Sequence, residues 1–136
     1  MKYILITILA MALVALGVWF FWPGKEVVID EKMIRVTAPA PNTLVSSPLT
    51  VTGEARGNWY FEASFPIKIF DANGKMLGQH YAEAQDDWMT TNFVPFRGTL
   101  NFATSTTPTG TLVLEKDNPS GLPEHDAEVR IPIRFQ

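Results

Sequence analysis

Apolar residues are arranged in two different ways along this chain. Residues 3–22 form a run of twenty residues without a charge, YILITILAMALVALGVWFFW, whereas apolar and polar residues alternate in short segments after residue 32. A helix of about 20 apolar residues spans roughly 30 Å, the hydrocarbon thickness of a bilayer. Alternation is typical of half-buried strands, because successive side chains point to opposite faces of a sheet. The pattern therefore predicts an N-terminal membrane helix followed by a β-domain.

The alternating part of the chain predicts seven strands and no helix. Asn73-Gly74 supplies the positive φ of a tight hairpin turn, and other turn residues separate the remaining segments. The predicted strands are Met33–Ala38, Leu49–Glu54, Ser64–Phe70, Lys75–Ala84, Phe93–Ala103, Gly110–Lys116 and Ala127–Phe135. Seven short strands in about 100 residues indicate an all-β, seven-stranded immunoglobulin-like β-sandwich.

The predicted core consists of large apolar residues that share the inward parity of these strands. They are Phe65, Ile67, Ile69, Leu100, Phe102, Leu112, Leu114, Ile131 and Ile133. The chain has no cysteine, so apolar burial rather than a disulfide must hold the two sheets together. Pro66 and Pro132 cannot donate to a β-ladder, which places each on an edge strand or at a bulge.

The apolar N-terminal run has two interpretations, a cleaved signal peptide or an uncleaved signal-anchor. Bulky residues follow the only small-x-small pattern, Ala15-Leu16-Gly17, which favours the uncleaved anchor. Lys2 and the amino terminus precede the run, so the positive-inside rule predicts a cytoplasmic N-terminus and an extracytoplasmic C-terminal domain. The predicted organisation is an anchor over 1–22, a tether over 23–32 and the sandwich over 33–136. The tether is interpreted as a linker, with a short strand at Val27–Ile29 that pairs with the domain edge as the alternative.

Charge and composition narrow the classes of function. The net charge is −3 with the charges interspersed, so there is no basic field that would attract nucleic acid. Without cysteine there can be no thiolate metal site and no cysteine nucleophile. We predict no cofactor and no metal.

A set of short segments, in order along the chain, resembles one family of bacterial domains. The segments are Pro48–Gly57, Trp59–Glu62, Asp71–Gly74, Trp88–Thr90, Phe93–Phe96, Gly110–Leu114, Asp117–Glu124 and Ile131–Phe135. Together they resemble the immunoglobulin-like domain of bacterial spore germination proteins, over Ile34 to Phe135. The resemblance implies an extracytoplasmic sandwich with no established enzymatic activity, often placed after an N-terminal anchor. It supplies no ligand-binding residues.

Three aromatic residues are the candidate ligand or partner surface: Trp59, Tyr60 and Trp88. Consecutive aromatics at 59–61 must send at least one ring away from the core if alternation holds. The functional interpretation is an exposed platform for a sugar ring or a protein. The structural alternative, which we favour, is that Trp59 and Phe61 plug the end of the sandwich while Tyr60 covers a loop. Trp88 is likewise expected to cap the core.

Two further motifs have both a functional and a structural interpretation. The loop Asp117–Asp126 has enough oxygen ligands to suggest calcium, but prolines and glycine interrupt the ligand spacing and favour a structured surface loop. His80 and His125 could serve an enzyme only beside a nucleophile and a carboxylate, and no motif supports that arrangement.

These observations predict a non-catalytic, membrane-anchored binding or scaffolding module of the bacterial cell envelope. The membrane contact would run through residues 3–22, and the expected partner is another envelope protein. The alternative is a carbohydrate-binding module that recognises peptidoglycan or another cell-wall glycan through its aromatic residues.

Overall fold

The computed structural model describes residues 30–136. The predicted anchor and most of the predicted tether, residues 1–29, lie outside the described residues. Within residues 30–136, no helix combines the length and the apolar character needed to cross a membrane.

Eight strands form one curled antiparallel sheet, with a single short parallel pairing between β2 and β8. The strands are β1 (Ile34–Ala38), β2 (Thr43–Leu44), β3 (Leu49–Arg56), β4 (Ser64–Asp71), β5 (Met76–Ala84), β6 (Phe93–Leu100), β7 (Thr109–Glu115) and β8 (Glu128–Arg134). Single 3₁₀ turns lie at Gly57–Trp59 and Pro123–His125. The order across the sheet is β1-β3-β6-β5-β4-β7-β8-β2.

The seven predicted strands are confirmed, but the predicted number is wrong because β2 was missed. β2 has two residues and follows Pro39-Ala40-Pro41-Asn42, so it is too short for alternation to reveal it. The two layers of the sandwich are also continuous rather than separate. β5 pairs with β4 on one side and with β6 on the other, and it carries the sheet around the corner between the layers.

The inward face of the curled sheet holds the core. Eight residues of the predicted core list are buried, and Phe102 is the exception because it lies beyond the end of β6 and is only partly buried. Phe65 occupies the centre, with its ring 5.0 Å from the ring of Phe96 on the facing layer in an edge-to-face arrangement. Burial of each such side chain contributes about 1.5–3 kcal/mol.

The prediction for the two strand prolines is wrong. Pro66 lies in β4, which has neighbours on both sides, and Pro132 lies in β8, the second strand from the edge. Neither position is a shift in register. Pairing between β4 and β7 begins at Ile67, one residue after Pro66, so the missing donor falls outside that ladder. β2, the outer neighbour of β8, pairs with it only from Ile133 onward. The ladder between these two strands therefore requires no amide from Pro132.

Tyr60 connects the β3–β4 loop to β6. Its buried hydroxyl donates a hydrogen bond of 2.7 Å to the carbonyl oxygen of Val94 in β6. Burial raises the pKa of Tyr60 well above its ordinary value, because the phenolate would be desolvated. The loop is therefore fixed by a neutral, buried hydrogen bond.

Replacing Tyr60 by Phe should lower the free energy of unfolding by about 1–3 kcal/mol, because the Val94 carbonyl would stay buried without a donor. Tyr81→Phe is the matched control, since Tyr81 is 54% exposed, and it should change the free energy by less than about 0.5 kcal/mol. Urea unfolding of both variants measures the difference. Equal losses would contradict the structural role of the Tyr60 hydroxyl.

Candidate functional site

The strand directions gather three loops and the chain's first described turn at one end of the sandwich. β3, β5 and β7 finish at this end, and β4, β6 and β8 start there. The loops are residues 57–63, 85–92 and 116–127, and the turn is Asp30–Met33. We call this region the loop end.

Loop 57–63 contacts the other two loops. Gly57 lies so close to loop 85–92 that an added Cβ would come within 1.8 Å of the Thr90 carbonyl oxygen. Only glycine permits this approach of two backbones. On the other side, the amide of Asp117 donates to the Trp59 carbonyl oxygen at 3.0 Å. These contacts hold the three loops in one fixed arrangement.

The three aromatic residues predicted as a surface are not presented together to solvent. Trp59 and Tyr60 are 2% and 3% exposed, and both rings pack edge-to-face on Phe65. Trp88 is partly buried against the core. The 3₁₀ turn at Gly57–Trp59 interrupts alternation, so two consecutive rings enter the core. This placement takes away the aromatic platform that the glycan alternative needs from Trp59 and Tyr60.

A different set of apolar side chains is exposed at the loop end, one from each loop. Phe61, Met89 and Leu122 are 41%, 77% and 48% exposed. We call them the apolar triad. The prediction that Phe61 plugs the end of the sandwich is wrong, because Tyr60 enters the core instead. Met89 and Leu122 were missed, although a large apolar residue within a polar loop is a signal that could have found them. Apolar side chains exposed on rigid loops are typical of interaction sites.

The loops that carry the apolar triad are rich in acidic residues. The exposed acids in these loops are Glu62, Asp86, Asp87, Glu124 and Asp126. The carboxyl of Asp117 belongs to the same group, and burial raises its pKa, with a further contribution from the negative charge of Glu62. The loop end therefore combines apolar contacts with a negative electrostatic field.

A comparison of the chain with models of protein families identifies its family. The model of the immunoglobulin-like domain of bacterial spore germination matches residues 33–122, about two thirds of the chain. The chain belongs to this family. The match begins immediately before β1 and ends in the loop that precedes β8. Comparisons with curated proteins and with solved structures found no match.

In this immunoglobulin-like domain, loop 116–127 is closed by its own side chains. The amide of Asn118 donates to the Leu122 carbonyl oxygen at 2.8 Å and to Asp126 Oδ1 at 2.7 Å. The hydroxyl of Ser120 donates to Asn118 Oδ1. Among residues 30–136, no group of three His, Cys, Asp or Glu side chains is arranged to hold a metal ion. The geometry is that of a structured surface loop.

The two histidines lie on separate elements of the domain. His80 is exposed on β5 with its ring 6.5 Å from the ring of Tyr81. His125 is exposed in the 3₁₀ turn at the loop end, and its carbonyl oxygen accepts a bond from Lys116. The structure does not bring the two histidines together.

The tip of loop 57–63 contains a strained hairpin turn. Phe61 and Ser64 exchange two backbone hydrogen bonds of 3.0 and 3.2 Å, and the residues between them, Glu62 and Ala63, have φ of 51° and 65°. Two-residue turns of this kind favour Asn-Gly, because other residues pay about 1–2 kcal/mol for a left-handed conformation. Strain of this sort accumulates at functional sites.

Ala63→Gly should therefore leave the domain equally stable or stabilise it by up to about 1 kcal/mol, since relief of the left-handed strain outweighs the entropy of glycine. The control is Ala72→Gly in the β4–β5 turn, where φ is not positive. That change should cost about 0.5–1 kcal/mol. Thermal unfolding compares the two variants, and a destabilised Ala63→Gly would argue against the turn geometry.

Asp117→Asn should stabilise the domain at neutral pH. The raised pKa of Asp117 means that folding disfavours its charged form, so the folding cost is present above the folded pKa and is lost once the group is protonated. The gain should shrink as the pH falls through the raised pKa of the folded state, and it should be almost gone at 3.8, the ordinary value, because the carboxyl is then largely protonated in both states. Glu124→Gln removes a charge from the exposed side of the same loop and serves as the control. Urea unfolding across pH tests this, and a gain independent of pH would contradict it.

Proposed function

We propose that this protein is a non-catalytic, single-pass membrane protein of the bacterial cell envelope that binds another envelope protein through its loop end. Residues 3–22 cross the cytoplasmic membrane with the N-terminus inside, and the immunoglobulin-like domain lies outside. The family and the uncharged twenty-residue run support this organisation. The domain acts as a rigid support for its loops.

The observation that carries the proposal is the exposure of the apolar triad on a fixed framework. Aromatic and Met side chains are enriched in protein interfaces, and Met adapts its shape to a partner. The three side chains come from loops that are already bonded to one another, so binding would freeze little additional backbone. Because little conformational entropy would be lost on binding, more of the contact energy would remain as binding free energy.

The acidic residues in the loops of the triad define the chemistry of the partner. Exposed carboxylates at a rim steer association toward a surface of opposite sign and reject acidic surfaces. We therefore expect the partner to offer an apolar pocket or patch with Lys and Arg around it. Phe61 is a single exposed ring without a second one beside it in the same loop, which favours a protein over a glycan chain.

Photo-crosslinking in intact cells tests this proposal. A photoreactive amino acid at Met89 should give a discrete protein adduct that is lost when Phe61 is replaced by Ser. The same probe at Thr106, an exposed position in the loop at the opposite end, should give no such adduct. With a purified partner, Phe61→Ser should weaken binding by about 5–30-fold, which corresponds to 1–2 kcal/mol.

Two outcomes would count against the proposal. Identical adducts from Met89 and Thr106 would show that the loop end is not a preferred surface. Lipid adducts alone at Met89 would show that the triad faces the bilayer rather than a protein.

A further inference from the structure

The curled sheet leaves a gap between its first and last strands. Within the described sheet, β1 forms one edge, while β8 and the short β2 form the other. The chain itself crosses between these edges from the end of β1 to the start of β2, over residues 39–42. We call the space between β1 and β8 the seam.

The outer edge of β1 offers backbone hydrogen-bonding groups to the seam. The amide of Arg56 donates to the Met33 carbonyl oxygen at 2.8 Å, so this carbonyl faces β3, and Arg35 pairs with Glu54 of β3 two residues further on. Because these groups alternate in direction along an antiparallel strand, those of Ile34 and Val36 point into the seam. An edge of this kind is a template for a further strand.

The first described turn already places the chain on the seam side of β1. The amide of Ile34 donates to the Asp30 carbonyl oxygen at 3.1 Å, so Asp30 lies beside the outer edge of β1. Arg56 holds this turn, since its Nε donates to the Lys32 carbonyl oxygen at 3.1 Å. The residues that precede Asp30 therefore start within reach of the edge of β1.

A cleft lies in the seam beside these groups. Its volume is about 260 Å³, and its walls are Glu31, Arg35, Val36, Pro39, Pro41 and Ile131. Small-molecule sites usually have volumes of about 300–1,000 Å³. A cleft below that range, lined by Val, Ile and Pro, fits aliphatic side chains better than a cofactor or substrate.

We propose that Val27–Ile29 dock in the seam as a short strand antiparallel to β1. The bond between Ile34 and Asp30 sets the register, in which Val28 is opposite Val36 and Ile29 is opposite Arg35. Ile34 is buried, so parity directs Val36 and Val28 inward to the cleft and Ile29 outward. The docked strand would satisfy the edge of β1 and fill the cleft with Val28.

This occupant is favoured over a second molecule for two reasons. Val27, Val28 and Ile29 are all β-branched, the residue type that best fits strands. They are also attached directly to Asp30, and such a connection gives an effective concentration in the millimolar range, far above that of a free partner.

Docking would set the orientation of the domain at the membrane, and this consequence rests on the proposed function. Residues 25–29 in extended form span about 16 Å, similar to the length of β1. The docked chain would therefore run from the loop end toward the opposite end of the sandwich before it reaches the anchor. The apolar triad would then face away from the bilayer, where an envelope protein can bind it.

Disulfide trapping in the full-length protein in detergent micelles tests the docked register, and the natural absence of cysteine makes the readout unambiguous. The pair Ile29→Cys with Arg35→Cys should oxidise to an intramolecular disulfide with copper phenanthroline, detected as a mass loss of two hydrogens. Val28→Cys with Arg35→Cys is the matched control, because these side chains would lie on opposite faces. It should stay reduced.

Amide hydrogen exchange provides a second readout that does not depend on cysteine geometry. Val28→Pro removes the amide that faces Val36 and should accelerate exchange of the Val36 amide at least tenfold. The Val51 amide in β3 should be unaffected, which shows that the domain remains folded.

Three results would overturn the proposal. They are equal oxidation of the two cysteine pairs, an unchanged Val36 exchange rate in Val28→Pro, and disulfide-linked dimers of the single variant Arg35→Cys. The last would place a second copy of the chain in the seam. Neither readout involves a partner protein, so failure of the proposed binding function would leave both unchanged.

Discussion

The packing of Phe65 against both layers is the contact on which the rest of the domain depends. Its ring lies 5.0 Å from Phe96, 5.2 Å from Tyr60 and 6.4 Å from Trp59. Edge-to-face contacts of this kind add about 0.5–1.5 kcal/mol each beyond burial. In a domain without disulfides, this cluster joins the facing strands and draws the start of the β3–β4 loop into the core. Once Trp59 and Tyr60 are used in this way, Phe61 is left outside.

Burial of Trp59 lowers the stability of the fold in one respect. Among the described residues, Trp59 Nε1 finds no hydrogen-bond partner, and an unpaired buried donor costs about 1–3 kcal/mol. The ring is nevertheless almost fully buried, because the apolar area that it removes from water and its contact with Phe65 outweigh that cost. The loop end thus rests on a buried aromatic core, and its exposed side chains are those that this core does not include.

The curled sheet explains both surfaces to which we assign roles. β5 pairs with a strand on each side and bends the sheet around the core, so the chain's successive loops converge at the two ends. The same curling brings the first and last strands toward each other without pairing them, which creates the seam. The loop end and the seam meet at the Asp30–Met33 turn, where Arg56 also contacts the Thr91 carbonyl oxygen of loop 85–92. A docked tether and the arrangement of the loops would therefore share one support.

The sequence alone determined the seven longer strands, the face of each that is buried and most of the core. Alternation reports these directly, because it is a local property of consecutive side chains. It could not show the two-residue β2, the continuity of the layers through β5, or that Pro66 is tolerated because it precedes the β4–β7 ladder. It also could not show that Phe61, Met89 and Leu122 are exposed together. Those features depend on which loops and strands meet in space, and only the tertiary structure, through packing between residues far apart in the chain, decides that.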